Sequence, residues 1–395
     1  MRFFILGNIN AGKSTYAKSL INIMSKMGKY EVLCIDDFRK KYGKGSEKNE
    51  RSVAKHFAKV VLHTENAIVE LCGFGYAAEE ILKRLKSNSC IILYINTPLQ
   101  LCLERIEAKR QTFADNNHFA ESSNIADTIR LLDTSLQNGK LKEMWWRVAL
   151  GWHELGQNAT LTKLPLRQYH YTGKIISILK DFGLKRLIAY GSLGRLDMGQ
   201  HSDVDLILLS AMSPKQAFDL LYATLSETFR ESDIFLLGEK IIILQDSMMF
   251  ELAIVKTFKN YAKYYNGSYI KDVSKSILLG GKRLCDMINN ATHLPKMESY
   301  NEVICKNKIS YYFYFLQKMA KEEDCFRFYF YNNLIIDSIT RYLCIKEGVT
   351  KYLYCPKHIN DILAKYNINT LVCSMNEDKH THIAKLKAFV ARWIN

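Results

Sequence analysis

The 395-residue sequence predicts an α/β protein with an N-terminal parallel sheet, a central α+β sheet and a C-terminal helical bundle. Three observations lead there. Apolar runs alternate with helically spaced segments over the first 112 or so residues; strand-like runs cluster between Leu187 and Val255; and the chain beyond Leu278 keeps helical spacing. A chain this long outgrows one ordinary core and divides into two or three domains. The pattern places boundaries at 1–122, 123–182, 183–284 and 285–395, the second of these a helical bridge.

The first run, Phe3-Phe4-Ile5-Leu6, precedes a helix from Lys13. Val32-Leu33-Cys34-Ile35 leads to Asp36, Val53, Phe57, Val60 and Val61 share a helix face, and Ala67-Ile68-Val69 and Ile91 to Ile95 complete four apolar runs. Helices between such runs imply parallel pairing. Residues 123–182 read as mostly helical, with Trp145, Trp146 and Trp152 among leucines at helix spacing. Strands follow at Leu187–Tyr190, Asp205–Leu209, Ile241–Leu244 and Phe250–Val255, with an amphipathic helix from Pro214 to about Arg230. Tyr311 to Phe315 and Phe326 to Tyr331 are assigned to the bundle core, because base-stacking surfaces usually sit on exposed strands.

Hydrophobic residues make up 48% of the sequence, normal for a globular protein, and no run approaches the ~18 apolar residues of a membrane span. The opening residues read as a buried strand and not a signal peptide. Ten cysteines are scattered singly from Cys34 to Cys373 without a C-x-x-C pair, which argues against a zinc module and a disulfide framework. A reducing cytoplasm and no membrane partner are expected. Lysine and arginine total 55 against 40 acidic residues, a net +15 that favours anionic partners: nucleotides, nucleic acid or a small anion.

Two clusters carry chemistry. Gly7-Asn8-Ile9-Asn10-Ala11-Gly12-Lys13-Ser14 fits the P-loop pattern G-x-x-x-x-G-K-S, with a strand before it and a helix after it. Its glycines let backbone N–H groups and a helix N-terminus surround a β-phosphate. Lys13 adds charge at the β- and γ-phosphates, and the Ser14 hydroxyl is a candidate Mg²⁺ ligand. The expected nucleotide contacts are Gly7, Asn10, Gly12, Lys13, Ser14 and Thr15. Asp36, where the second apolar run ends, stands where a general base facing a γ-phosphate belongs. Glu70 ends the third run as a candidate outer-shell Mg²⁺ carboxylate, with no aspartate beside it.

The second cluster runs from Gly191-Ser192-Leu193-Gly194-Arg195 to Asp203-Val204-Asp205. Gly191 and Ser192 end one strand, where phosphates can approach the backbone; Arg195 is a candidate triphosphate contact. Asp203 and Asp205, two apart, project to one face. Adjacent carboxylates repel unless a divalent cation intervenes, and oxygen ligands suit Mg²⁺ or Mn²⁺. A third carboxylate has two candidates, Asp233 and Glu251. Glu251 is preferred, since it interrupts an apolar strand, where a charge is costly without a metal or a proton to move; Asp233 reads as a loop or cap. His201, His380 and His382 are left out of any site, the last two for want of a partner cluster.

The segment Gly7–Ser14 with Asp36-Asp37-Phe38-Arg39 resembles the polynucleotide-kinase-like branch of P-loop kinases. That resemblance implies Asp36 as the base accepting the acceptor's hydroxyl proton, and Arg39 as the holder of the acceptor's phosphate. Leu103 to Arg110 resembles the segment leading into a kinase lid, which implies Arg110, ahead of Arg105, at the transferring phosphoryl group. Gly191 to Asp205 resembles the DNA-polymerase-β-like nucleotidyltransferases, and among them the kanamycin nucleotidyltransferases. This implies Asp203, Asp205 and Glu251 as metal ligands, Glu251 doubling as base. Ile277 to Leu284 resembles the turn into the helical domain that walls the acceptor, with Lys282 at the nucleotide. Together they imply a P-loop kinase domain joined to a nucleotidyltransferase, consuming ATP or another NTP with a hydroxyl-bearing acceptor, a small molecule ahead of a nucleic-acid end. One alternative is an RNA or DNA end-processing, repair or defence enzyme acting on nucleic acid; another keeps the transferase and makes the P-loop a non-catalytic nucleotide sensor.

Overall fold

Arg2–Gly7 forms β1, the central strand of a five-stranded, all-parallel sheet ordered β2-β3-β1-β4-β5, in which β2 is Glu31–Cys34, β3 Ala67–Glu70, β4 Cys90–Ile95 and β5 Ala149–Leu155. The computed structural model describes residues 1–43, 47–112, 125–246, 248–262, 265, 270, 272–291, 301–349, 364–374 and 377–394. They fall into two units, Met1–Tyr261 with Ile270–Ala291, and Ala262–Tyr269 with Thr292–Asn395.

Both faces of the parallel sheet are covered, which is why β1 is an unbroken apolar run. Phe3 and Ile5 pack with Ala17, Leu20 and Met24 of α1 (Lys13–Met24) and with Cys102 and Ile106 of α5 (Leu99–Thr112). Phe4 and Leu6 turn the other way, to a cluster containing Phe57 of α3 (Glu47–His63), Ala78 of α4 (Gly75–Leu82) and Trp145 of α7 (Lys140–Trp146). All four β1 side chains are fully buried, a gain of about 1.5–3 kcal/mol apiece. Between β2 and α3 lies α2 (Ile35–Tyr42), and α6 (Ile125–Gln137) precedes α7.

The second sheet of the same unit is mixed, ordered β11-β6-β7-β10-β9-β8, from β6 (Leu187–Tyr190), β7 (Val204–Leu209), β8 (Asp233–Leu237), β9 (Lys240–Gln245), β10 (Met248–Val255) and β11 (Ile277–Leu279). Val204, Leu206, Leu208, Phe250, Leu252 and Ile254 face a core shared with α8 (Leu166–Asp181) and α10 (Pro214–Thr228). The period of two therefore sends Asp205 and Glu251 to the opposite face. Ser213 and Gln216 form a capping box that starts α10. After α9 (Gly191–Arg195), two further short helices, α11 (Val273–Ser276) and α12 (Lys282–Ala291), flank β11. The core around α8 is continuous from Phe3 of β1 to Leu252 of β10.

In the second unit, α13 (Glu302–Lys321), α14 (Cys325–Lys346) and α15 (Lys379–Trp393) bury Leu316, Phe328, Ile335, Ile339, Leu343 and Leu386. Among the described residues no helix is long and apolar enough to cross a membrane.

Four readings of the sequence change. Residues 123–182 contain β5, whose Trp152 has helical spacing to neighbouring tryptophans but lies on a strand paired with Ile92. Helix α2 begins at Ile35, so Asp36 lies in its first turn and not at a strand end. Asp233 is no cap: it opens the edge strand β8, paired with Leu244. The aromatics of the bundle divide, with Phe328 fully buried but Tyr311, Tyr314, Phe326 and Phe330 exposed.

Two buried histidines set an acid limit on the fold. His170 shares a 2.7 Å hydrogen bond with the Tyr30 hydroxyl, and His153 one of 3.1 Å with the Tyr169 hydroxyl. Burial, aided at His170 by Lys174, pushes both down to about 4. The unfolded chain takes up these protons near pH 6.5 and the folded chain does not. Stability is therefore complete above pH 6.5 and lost as pH falls toward 4, by on the order of 3 kcal/mol per histidine. Thermal melts between pH 7 and 5 should decline steeply, and the double variant His153→Asn/His170→Asn should flatten that decline.

Candidate functional site

The segment Gly7–Ser14 follows directly from the C-terminal end of β1 into α1. Gly12 has φ 97°, a left-handed conformation open to glycine, and α1 starts directly after it. Buried Asn8 shapes the loop: its side chain donates to the Ile129 carbonyl (3.0 Å) and accepts from the Ile9 N–H (2.8 Å). The Thr97 hydroxyl, beyond β4, donates to the Ala11 carbonyl at 2.8 Å. Lys13 Nζ lies 2.8 Å from the Asn8 carbonyl, an internal contact that holds the ammonium at the loop.

Ser14 Oγ donates to Glu70 Oε1 at 2.7 Å, and Glu70 is 8% exposed at the end of β3. A hydroxyl and a carboxylate thus stand together beside the loop. Arg39 donates to Asp36 Oδ1 (3.0 Å) and, through two nitrogens, to Glu50 Oε1 (2.9 and 2.6 Å). Burial opposes the Arg39 charge, but Glu50 and Asp36 outweigh it and hold its pKa above the ordinary value. A cavity of about 1600 Å³ joins Lys13, Ser14, Asp36, Arg39, Glu70 and Arg105, larger than the ~300–1,000 Å³ that drug-sized ligands fill.

The structure brings Arg105 to the loop: its Nη1 donates to the Asn10 carbonyl at 2.9 Å. The Arg110 side chain lies outside those described. Burial of Cys102 and Ile106 turns the α5 face that carries Arg105 toward the sheet, a direction readable from the i, i+4 spacing. Asn8, Thr97 and Glu50 carried no sequence signal of their own.

In the second sheet, register does the assembly. Tyr190 pairs with Asp205 across β6 and β7, and Asp205 pairs with Glu251 across β7 and β10. Paired residues share a face, so phenol, aspartate and glutamate form one row perpendicular to the strands. Asp203, two residues before Asp205, keeps the same parity just outside β7. Two carboxylates one strand apart, ~5 Å, repel by about 3 kcal/mol at an effective dielectric of 20. Lys240 Nζ sits 2.7 Å from Glu251 Oε1, and the Tyr190 hydroxyl donates to the same oxygen. Burial first, then the Glu251 and Asp205 carboxylates, raises the Tyr190 pKa, so its phenol remains a donor.

Gly191 has φ 59°, and a Cβ there would lie 2.0 Å from Asp205 Oδ2. Glycine is thus what lets the backbone reach the carboxylate. Buried Ser192 contacts the Asp203 carbonyl at 3.4 Å. Arg195 is held by Asp197, Nε to both carboxylate oxygens at 3.2 and 3.0 Å, with its side chain 7% exposed. That pairing makes it a buckle on the loop. Asp233 lies two strands from β10 and exposed, outside the row. Lys282 is exposed at the start of α12. Tyr190 and Lys240 went unnoticed in the sequence, since only register places them at Glu251.

Gly191→Ala is expected to add a left-handed strain of about 1 kcal/mol and to displace the Asp205 carboxylate. Any activity of the row should fall by far more than stability does, which a melt and an assay on one preparation would separate.

His382 corrects the sequence reading that it lacks a partner cluster: its Nδ1 is 3.1 Å from Glu377 Oε2 and its Nε2 2.8 Å from Asn332 Oδ1.

No known family matches the sequence, and no curated protein matches it. Among solved structures the chain is similar to one chain of the Pnkp1/Rnl/Hen1 RNA repair complex, at 13% identity and TM-score 0.26 over 34% of this chain; the match spans 45% of that chain. It is similar to the Mycobacterium tuberculosis APS kinase CysC in complex with AMPPNP and APS, at 16% identity and TM-score 0.23 over 34% of this chain and 96% of that one. A third similarity is to the GLD-2/RNP-8 complex, at 16% identity and TM-score 0.24 over 58% of this chain and 79% of that one. Similarities this distant leave the chain's own geometry as the ground for its function.

Proposed function

We propose that the chain is a bifunctional nucleotide-dependent transferase. The second sheet moves a nucleoside monophosphate from an NTP to a hydroxyl, and the P-loop half moves a γ-phosphoryl group from ATP to another. The observation that carries this reading is the row Tyr190, Asp205 and Glu251, with Gly191 opened against it.

The donor set fits Mg²⁺ or Mn²⁺: Asp203, Asp205 and Glu251 offer only oxygens, with Lys240 as the nearby cation that offsets part of their repulsion. A bound divalent ion would supply charge neutralisation at the α-phosphate and the leaving pyrophosphate. Glu251 takes the proton of the acceptor hydroxyl as the new O–P bond forms and the bond to pyrophosphate breaks. Tyr190 and Lys240 hold the Glu251 carboxylate in place. Gly191 and Ser192 present backbone to the triphosphate.

In the P-loop half, Gly7, Asn10, Gly12, Lys13, Ser14 and Thr15 hold the nucleotide. Ser14 and Glu70 stand where Mg²⁺ would bind, and Arg105 reaches the transferring group. Asp36 accepts the acceptor's proton, ADP leaves, and Arg39 orients the acceptor from its place between Asp36 and Glu50. A small hydroxylated molecule is the favoured acceptor of the nucleotidyl group. The net charge of +15 favours a nucleic-acid end as the second reading, and that reading requires binding that weakens steeply with salt.

Incubation with Mg²⁺ and ATP labelled at either the α- or the γ-phosphate tests the proposal. Both labels should reach an acceptor. Transfer of the α label alone, insensitive to Lys13→Ala, would reduce the P-loop to a nucleotide sensor; transfer of neither would overturn the reading.

A further inference from the structure

We propose that the second unit holds a divalent cation of the zinc class between Cys373, Glu377 and His382. One sulfur, one carboxylate oxygen and one imidazole nitrogen from these residues lie within 4.8 Å of one another. Cys373 is 9% exposed and His382 fully buried.

The surroundings orient the donors inward. Asn332, 2% exposed on α14, places its Oδ1 2.8 Å from His382 Nε2. An amide oxygen only accepts, so the imidazole donates there through Nε2–H and its Nδ1 keeps a lone pair. That Nδ1 lies 3.1 Å from Glu377 Oε2, itself an acceptor. In that tautomer two acceptors face each other at a distance that a bridging cation or a proton closes. Lys385 Nζ, 3.1 Å away, engages the other oxygen, Oε1. Each of these two donors therefore has an outer partner that fixes its direction, the arrangement found around metal-bound histidines and carboxylates. A cation joins the sulfur, nitrogen and oxygen donors together, whereas a proton serves one pair.

The donor set selects the ion. Thiolate and imidazole suit Zn²⁺ and its borderline neighbours and suit Mg²⁺ poorly. Three protein ligands leave a fourth position for water or for a group brought by a partner. Cys373 follows the 3-10 turn Ile368–Leu371, Glu377 precedes the Asp378 cap of α15 and His382 is in its first turns. The ion therefore ties the start of the C-terminal helix to the turn before it and, through Asn332, to α14. Its chemistry is separate from the all-oxygen sites of the proposed transfer reactions.

The test uses the full-length protein, stripped with chelator and titrated with Co²⁺ in excess Mg²⁺. The expected result is one Co²⁺ per chain with a thiolate-to-cobalt charge-transfer absorption, displaced by Zn²⁺ and missing in Cys373→Ser. Zn²⁺ should raise the Tm of the wild type and leave that of Cys373→Ser unchanged, and Asn332→Ala should weaken Zn²⁺ binding roughly 10- to 100-fold. A wild-type protein without the thiolate band overturns the proposal whatever the variants do. A band that survives in Cys373→Ser assigns the ion to another cysteine and overturns it equally.

Discussion

Asp205→Asn is expected to abolish nucleotidyl transfer, lowering it at least ~10³-fold, about 4 kcal/mol of transition-state stabilisation, while the protein stays folded. The substitution keeps shape and removes one charge from a row in which Asp205 has Tyr190 on one side and Glu251 on the other. Losing the charge relieves carboxylate repulsion in the unliganded protein, so the Tm should hold or rise. Stability and activity thus move in opposite directions, as expected where charge is concentrated for catalysis and not for folding. A variant that loses activity and Tm together would point to a structural role. Glu251→Gln should behave alike for transfer but free Lys240 and Tyr190 from their partner, so its Tm should fall.

Lys13→Ala is the second large effect. Transfer of the γ-phosphoryl group should drop at least ~10³-fold, because that barrier is lowered chiefly by positioning and charge. Lys13 has little fold to hold: its Nζ reaches the Asn8 carbonyl, while Asn8, Thr97 and Arg105 anchor the loop by contacts of their own. The α-label reaction should continue in this variant, since Asp205 and Glu251 lie in the other sheet. Loss of both reactions would show that the two chemistries share one site.

Local physics was legible in the sequence wherever a residue's role depends on its neighbours in the chain. The glycines and lysine of the P-loop sit at a fixed spacing between strand and helix, and Asp203 and Asp205 share parity. Glu251 stands out as a charge inside an apolar strand, and strand register pairs it with Asp205. What stayed hidden is set by distant pairing. Strand β5 is recruited by β4 from more than fifty residues away, and its tryptophan imitates a helix pattern. Tyr190 and Lys240 meet Glu251 only because of sheet order. Arg105 meets the Asn10 carbonyl only because of how its helix is oriented. Cys373, Glu377 and His382 lack the paired spacing of common zinc modules, so the fold of the second unit is what gathers them.

The central claim is that Asp203, Asp205 and Glu251 converge on divalent cations beside a triphosphate. Its most direct measurement is Mn²⁺ binding by electron paramagnetic resonance in a Lys13→Ala background, with an NTP analogue that cannot be cleaved between the α- and β-phosphates. The account predicts that the analogue creates tight Mn²⁺ binding, lost when Asp203 and Asp205 are both changed to Ala. Mn²⁺ binding that ignores the analogue, or that survives the loss of both aspartates, would contradict it.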